Sequence, residues 1–356
     1  MPSNIKKILV VQTAFIGDVF LMIPLLKAIR DLHLNCEISI VVREGLGEFL
    51  KNLGTVDYFV EISKSNKNSY QEAQQKLNSK FDYIFCPHES LRSALFVSKL
   101  NSKNKIGFKS WWNFLFFDIR IKKNYLLSES LRQLQLIQNQ TSIFNVYFSQ
   151  TNTREMDFQV PDHLLLSNFN DILNKYKSTQ SRLMEQLGLI SNKKYIVIFP
   201  GSVWPTKQWT LEGFNQIAQK FIDNNFDVVL MGSKNEFTLC ENIESATQHK
   251  SINIAGKYKL WDSFLILSKS QIAITNDSGS MHMAAIANIP TVAIFGPTTL
   301  KLGFRPWQNK AKVVENNNLN CRPCGKHGHN QCPLKHHHCM TEISAEQVWD
   351  SIQNLI

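Results

Sequence analysis

Nowhere does the chain reach the about 18 consecutive apolar residues that a membrane-spanning helix requires. Its longer apolar runs, such as 19–23 and Tyr195–Phe199, are no longer than a strand. The N-terminus lacks the apolar core and small-residue cleavage site of a secretory signal, so a cytosolic location is expected. The seven cysteines are then expected as thiols or metal ligands rather than disulfides. No G-x-G-x-x-G follows the first strand, which disfavours a nicotinamide or flavin enzyme, and no G-x-x-x-x-G-K-[ST] P-loop is present. Acidic residues are in deficit, 29 against 39 Lys plus Arg, giving a formal net charge of +10. Such a balance favours anionic partners (nucleic acid, phosphorylated small molecules, an acidic membrane surface) without choosing among them. With 43% hydrophobic and 19% charged residues, a disordered chain, a coiled coil and a small disulfide scaffold are excluded. The 356 residues suggest two domains.

Strand and helix patterns alternate twice along the chain. Strands are expected at 8–11, 36–42, Tyr58–Ile62, 81–86 and Lys105–Phe108, with helices between them, the first over 19–32 with Asp18 as its cap. The pattern loosens over 111–190, where the inter-domain connection is expected. It restarts with strands at Tyr195–Phe199, 227–231, 251–254, 271–275 and Thr291–Phe295. A capping-box sequence, Ser344-Ala345-Glu346-Gln347, opens a terminal helix. The expected organisation is an N-terminal domain at 1–165, a C-terminal domain at 166–343 and a helix at 344–356. Alternation of this kind argues for parallel sheets with helices on both faces. In such sheets ligands bind beyond the carboxyl ends of the strands, so the loops just after strands are the ones to read.

Six constellations stand out. Thr13–Asp18 follows the first strand and ends in a carboxylate, either a plain N-cap or a general base for a hydroxyl. Asn276-Asp277-Ser278-Gly279-Ser280-Met281-His282 opens a helix whose first amides suit a phosphate, although an ordinary capped helix reads the same way. Pro200-Gly201-Ser202 with Lys207 and Trp209 is a plausible phosphate clamp or a surface lysine before a helix. Phe295-Gly296-Pro297-Thr298-Thr299 reads alone as a turn. Cys321-Arg322-Pro323-Cys324, with Cys332 and Cys339 and several histidines, could hold a structural zinc or be a reduced cysteine loop. A basic and aromatic region holds Arg92, Lys105, Lys109, Trp111, Trp112, Phe114, Phe116, Phe117, Arg120, Lys122, Lys123 and Arg132. It lacks any nucleic-acid-binding motif. It reads as a lipid-facing surface or, for 111–117 especially, as a core segment with a solvated basic edge. No two aspartates lie two positions apart, so there is no D-x-D. A nucleotide-sugar enzyme without that pair is expected to hold its diphosphate through backbone N–H groups and lysine instead of a metal.

Taken in order, Gly17-Asp18, Pro-Gly-Ser followed by Lys207-x-Trp209, Asn-Asp-Ser-Gly-x-x-His282 and Phe-Gly-Pro-Thr resemble the lipopolysaccharide heptosyltransferases of glycosyltransferase family 9. The cysteine region, with Cys332-Pro333, His337 and Cys339-Met340, resembles the branch that adds the second heptose of the inner core. The resemblance implies a GT-B fold, two doubly wound Rossmann-like domains facing across a cleft. It implies inverting transfer of heptose from ADP-heptose to the anionic lipopolysaccharide core, at the cytoplasmic membrane face, with no cofactor required. Residue by residue, Asp18 would be the base, and Ser202 and Lys207 would hold the diphosphate, Lys207 also offsetting leaving-group charge. Glu236 would bind the ribose. Asp277 would bind the donor sugar, Ser278 and Gly279 would give N–H groups to the phosphates, and His282 and Thr298 would line the same pocket. Arg92, Lys109 and Arg132 are candidates for the acceptor. Other readings are a family 9 transferase with another nucleotide sugar or acceptor, a non-catalytic glycolipid-binding relative, and nucleic-acid binding through charge alone.

Overall fold

Continuous apolar runs such as Tyr-Ile-Val-Ile-Phe at Tyr195–Phe199 and Thr-Val-Ala-Ile-Phe at Thr291–Phe295 are buried at every position, as parallel strands covered on both faces must be. The computed structural model describes residues 6–139, 169–189, 193–307 and 310–356. The chain divides into two units, Met1–Ile172 and Leu173–Ile356. The domain boundary expected at residue 165 lies outside the described residues.

The first unit holds β1 (Lys6–Val11), β2 (Cys36–Arg43), β3 (Tyr58–Ile62), β4 (Tyr83–Cys86), β5 (Lys105–Phe108) and β6 (Ile119–Ile121). They form one parallel sheet in the order β3-β2-β1-β4-β5-β6. The second unit holds β7 (Tyr195–Phe199), β8 (Asp227–Leu230), β9 (Ser251–Asn253), β10 (Ala273–Asn276), β11 (Thr291–Phe295) and β12 (Ala311–Glu315). Read from the other edge, its parallel sheet repeats the same order, β9-β8-β7-β10-β11-β12. Each sheet therefore reverses direction between its first strand and its fourth. The crevice at that reversal, beyond the strand ends, is where a doubly wound sheet receives ligands.

The edge strands β6 and β12 are additions to the sequence reading. Both are short or half-exposed, and so lack the unbroken apolar run that marks an interior strand. A second correction concerns the first helix. The segment 19–32 forms two helices, Ile16–Leu21 and Ile23–Leu32, which break at Met22 and place Pro24 in the first turn of the second. There Pro24 forfeits only an N–H that the helix leaves unpaired anyway. Asp18 is consequently not the cap but the third residue of the short helix behind Phe15.

The second unit is held together around Trp209. Its ring is 4% exposed and packs edge-on against Phe214 at 5.1 Å. Its indole N–H donates to the Ile343 carbonyl at 3.0 Å. A Cβ on Gly213 would stand 2.3 Å from the ring, so only glycine admits it. The terminal helix Ala345–Gln353 closes this core with Val348 and Ile352, and Ser344 and Gln347 form the expected reciprocal cap. Replacing Trp209→Ala should cost about 3–5 kcal/mol, the usual range for a large buried ring. A loss below about 1 kcal/mol in urea unfolding would contradict this central role.

Candidate active site

In the second unit the reversal lies between β7 and β10. Asn276, fully buried at the end of β10, ties the β7 loop to it. Its side-chain amide donates to the Pro200 carbonyl at 2.8 Å and its oxygen accepts the Trp209 N–H at 2.9 Å. The loop so held turns through Pro205–Lys207 and delivers Lys207 to Asp277. The Lys207 ammonium donates to Asp277 Oδ2 at 2.6 Å, and the Thr298 hydroxyl donates to the same oxygen at 2.5 Å. Three loops, after β7, β10 and β11, thus meet on one carboxylate that is 3% exposed.

Around this cluster stand polar atoms with nothing to bond. Ser278 Oγ, His282 Nδ1 and Thr299 Oγ1 are buried without a hydrogen-bond partner. Buried polar groups are nearly always paired, so these three exceptions, in the segments after β10 and β11, are candidate contacts for another molecule. Burial pushes His282 down to about 4, with Lys207 adding to the fall and Asp277 opposing it, so its imidazole is neutral at physiological pH. The helix Gly279–Ile286 begins at this point, with Ser278 as its cap, and points its free first amides at the crevice. Glu236 comes to the same loop from β8. Its carboxylate accepts the Ser233 N–H at 2.6 Å and lies so close to Gly201 that a Cβ there would stand 1.9 Å from Oε1. Ser202 sits one residue on, its Oγ accepting the Trp204 N–H at 3.4 Å.

In the first unit the reversal lies between β1 and β4. Thr13, just past β1, bonds His88, just past β4, at 2.9 Å, and also Ser93 at 3.0 Å and Tyr70 at 3.1 Å. Arg43, at the end of β2, donates to the Thr13 carbonyl at 2.7 Å. A cavity of about 580 Å³ opens here, and Arg43, Lys64, Lys67 and Arg92 line it together with His88 and Tyr70. Burial pushes His88 down to about 4, with Arg43 and Lys64 adding to the fall. Burial pushes the nearby Asp18 up to about 6. Glu129 adds to the rise, while the Phe15 N–H, Lys123 and Arg43 pull against it. Lys123 bridges Glu89 at 2.6 Å and Glu129 at 3.0 Å.

The structure thus brings Ser202, Lys207, Glu236, Asp277, Ser278, Gly279, His282 and Thr298 to one crevice of the second unit. Asp18 stands beside the corresponding crevice of the first. Of the acceptor candidates, Arg92 lines the cationic cavity. Lys109 is exposed on the turn after β5 and is not among the cavity's lining residues. Arg132 turns inward. It is 5% exposed, with its guanidinium on Glu129 at 3.1 Å and on the Tyr125 carbonyl at 2.6 Å. The expectation that 111–117 is core also needs correction. Phe117 is buried, but Trp111 is 89%, Phe114 59% and Leu115 76% exposed. Cys321, Cys324, Cys332 and Cys339 line one small void, but among the described residues no group of three or more His, Cys, Asp or Glu side chains is placed to hold a metal ion, so the structural zinc expected from the sequence is not supported. Among those residues no helix is long and apolar enough to cross a membrane.

Sequence reasoning missed two positioning residues. Asn276 was visible as a polar residue ending an apolar strand. Arg322 donates to the Gly296 carbonyl at 2.5 Å and the Thr298 carbonyl at 2.8 Å, which no local pattern announces.

Known proteins bear directly on this arrangement. The model of glycosyltransferase family 9 (heptosyltransferase) matches residues 71–338. The chain belongs to this family and is a glycosyltransferase. It is 30% identical over 223 residues to a lipooligosaccharide heptosyltransferase 2 of Campylobacter jejuni, covering 59% of this chain and 67% of that one. It is 21% identical to the protein of the same name from Haemophilus influenzae, covering 98% and 99%. Among solved structures, the E. coli ADP-heptose lipopolysaccharide heptosyltransferase II superposes with a TM-score of 0.76 at 20% identity, covering 98% of each chain. The two parallel six-stranded sheets are those of the GT-B heptosyltransferases, as the sequence reading expected.

Asp18 carries a measurable signature. Its folded-state value of about 6 lies above its ordinary 3.8, so folding favours the protonated form. That contribution is complete below the unfolded value and is lost as pH rises through about 6. At pH about 7.5 the ionised carboxylate therefore costs stability. Asp18→Asn should stabilise the protein there by about 1–3 kcal/mol in urea unfolding, and by much less near pH 4.5. An equal effect at both values would contradict the shift.

Proposed function

We propose that the protein transfers heptose from ADP-heptose to the inner core of lipopolysaccharide, as the branch that adds the second heptose does. The observation that carries this reading is the Lys207–Asp277–Thr298 cluster at the helix start, ringed by unpaired buried polar atoms. In the proposed reaction Ser202, Lys207 and the first amides at Ser278 and Gly279 hold the diphosphate. Glu236 takes the ribose. Asp277 takes hydroxyls of the donor sugar, and His282 and Thr298 complete the pocket. Asp18 removes the proton from an acceptor hydroxyl. The oxygen attacks the anomeric carbon as the bond to the diphosphate breaks, which inverts that centre in one displacement. Lys207 offsets the charge left on ADP. A carboxyl of value about 6 suits the base, since it is ionised at neutral pH yet still basic enough to accept the proton. The cationic cavity lined by Arg43 and Arg92 suits the anionic acceptor.

Asp18→Asn should abolish turnover with ADP-heptose and heptose-deficient lipopolysaccharide while leaving ADP binding intact. The wild-type kcat/KM should fall about tenfold per unit below pH about 6, because the base must be unprotonated. Retained turnover in Asp18→Asn would remove the base assignment. Thermal stabilisation by UDP or GDP, but not by ADP, would overturn the donor.

The glycolipid acceptor places the enzyme against the inner membrane face in this proposal. Two exposed apolar loops fit that surface: Trp111, Phe114 and Leu115 after β5, and Tyr125 and Leu126 after β6, with exposed Lys109 and Lys122 beside them. Apolar anchors flanked by cations are the pattern of a peripheral contact with acidic lipid. Trp111→Glu with Leu115→Glu should lower co-sedimentation with anionic vesicles severalfold without changing ADP binding. Unchanged sedimentation would exclude these loops as the contact.

A further inference from the structure

The proposed reaction uses one cavity of the first unit, but a second and larger one opens beside it. It measures about 860 Å³ and is lined by the helices Ser69–Lys76 and Leu91–Ser98. Lys67, Tyr70 and Arg92 line both cavities, so the two adjoin across these side chains. Tyr70 is the partition. Its hydroxyl donates to Thr13 Oγ1, on the lining of the first cavity, at 3.1 Å. Its ring packs edge-on against Phe96, on the lining of the second, at 5.3 Å. The Arg92 guanidinium lies over the same ring at 5.9 Å. Gln74 links the two helices, its amide donating to the Lys99 carbonyl at 3.4 Å. The walls are thus held by contacts of the fold itself.

The lining carries charge of one sign. Lys67, Arg92 and Lys99 belong to it, and no Asp or Glu lines either cavity. Among the described residues none of these three cations pairs with a carboxylate, whereas Lys103 and Lys123 of the same unit meet Asp82 and Glu89. Arg92 also lies in the first turn of its helix, where unpaired amides add to the positive field. A concave surface with unneutralised cations concentrates anions. Between the cations stand Gln71 and Gln74, which suit hydroxyl groups, and Leu91 and Leu95, 55% and 43% exposed, which suit the apolar face of a sugar ring. Cations alone would fit any polyanion. Cations interleaved with amides and apolar side chains fit a charged saccharide.

We propose that this second cavity is a subsite for a further anionic sugar of the acceptor, a phosphate- or carboxylate-bearing residue remote from the hydroxyl that reacts. The inference rests on the reading of the adjoining cavity as the acceptor site. Lys99 meets the charge of that sugar, and Arg92, shared by both cavities, bridges it to the part of the acceptor next to Asp18. Lys99 follows the helix Leu91–Ser98 and does not line the first cavity. Its contact is therefore the same before and during the displacement, and such uniform binding acts on KM and not on kcat. An acceptor held at two separated charges is selected by the spacing of those charges, so an acceptor carrying only one is bound more weakly.

Lys99→Glu should raise the KM for heptose-deficient lipopolysaccharide about tenfold, with kcat, the KM for ADP-heptose and Tm unchanged. Lys99→Ala should raise it severalfold, and Lys99→Arg should restore it. Lys76→Glu, exposed on the neighbouring helix but outside the lining, should change it by less than about twofold. Removing the acyl chains of the acceptor with alkali should preserve the dependence on Lys99. Stripping its phosphates with hydrofluoric acid should abolish the dependence where phosphate is the group bound, and esterifying its carboxylates should do so where carboxylate is. An unchanged acceptor KM in Lys99→Glu, with an active wild type, would overturn the subsite and leave the acceptor reading in place. So would an equal effect of Lys76→Glu, which marks a general field, or a dependence that vanishes with the acyl chains, which marks a lipid groove. A dependence that survives removal of both phosphate and carboxylate charge would overturn it as well. A wild type that transfers heptose to no lipopolysaccharide acceptor would overturn the acceptor reading and the subsite with it.

Discussion

One buried side-chain amide sets the geometry of the second unit. Asn276 sits where β10 ends, and without it the β7 loop would have no fixed distance from the strand that carries Asp277. Its bonds to the Pro200 carbonyl and the Trp209 N–H clamp the loop at both ends of its turn, and Lys207 lies between those clamped points. Trp209 passes the constraint onward through its ring into the core and through its indole N–H to Ile343, just ahead of the terminal helix. The crevice chemistry and the packing of the C-terminal helix are therefore parts of one hydrogen-bonded chain. The amide pairs with backbone on both sides and leaves none of its own polar atoms stranded, which makes such a buried group a rigid joint instead of a liability.

The first unit is governed by charge in the same way. Glu129 and Asp18 are neighbouring carboxylates. Lys123 and Arg132 neutralise Glu129 directly, and Asp18 receives only weaker help from Lys123, Arg43 and the Phe15 amide. This division holds one carboxylate in ion pairs and leaves the other poised. Perturbed groups of this kind gather at functional sites because proton transfer needs a value near the working pH.

Much of this was legible in the sequence because the fold is built from interior parallel strands. β7 and β11 are buried at every position, and the functional loops follow such strands directly. Edge strands were not legible: Ile119–Ile121 offers three residues, and Ala311–Glu315 mixes Lys and Glu into its run. Asp18 could be found by its place after β1, but its burial, which chiefly sets its acidity, was not visible, and Glu129 and Lys123, which adjust it further, come from a part of the chain where the periodic pattern loosens. Arg132 was misplaced because composition does not distinguish a solvated guanidinium from one folded onto a buried glutamate. Trp111 and Leu115 were misplaced for the converse reason, since apolar residue types point to a core unless the fold leaves them outside.

Glu236 and Gly201 occupy a single volume. With the carboxylate oxygen standing where a Cβ at position 201 would be, the chain cannot acquire a side chain in the β7 turn while keeping a glutamate at 236 in its present rotamer. The two positions form one unit of inheritance. A side chain at 201 has to be met by a shift or shortening of the Glu236 side chain, which would move the acid proposed to meet the ribose. Any redesign of this turn therefore has to treat Gly201 and Glu236 as a single site.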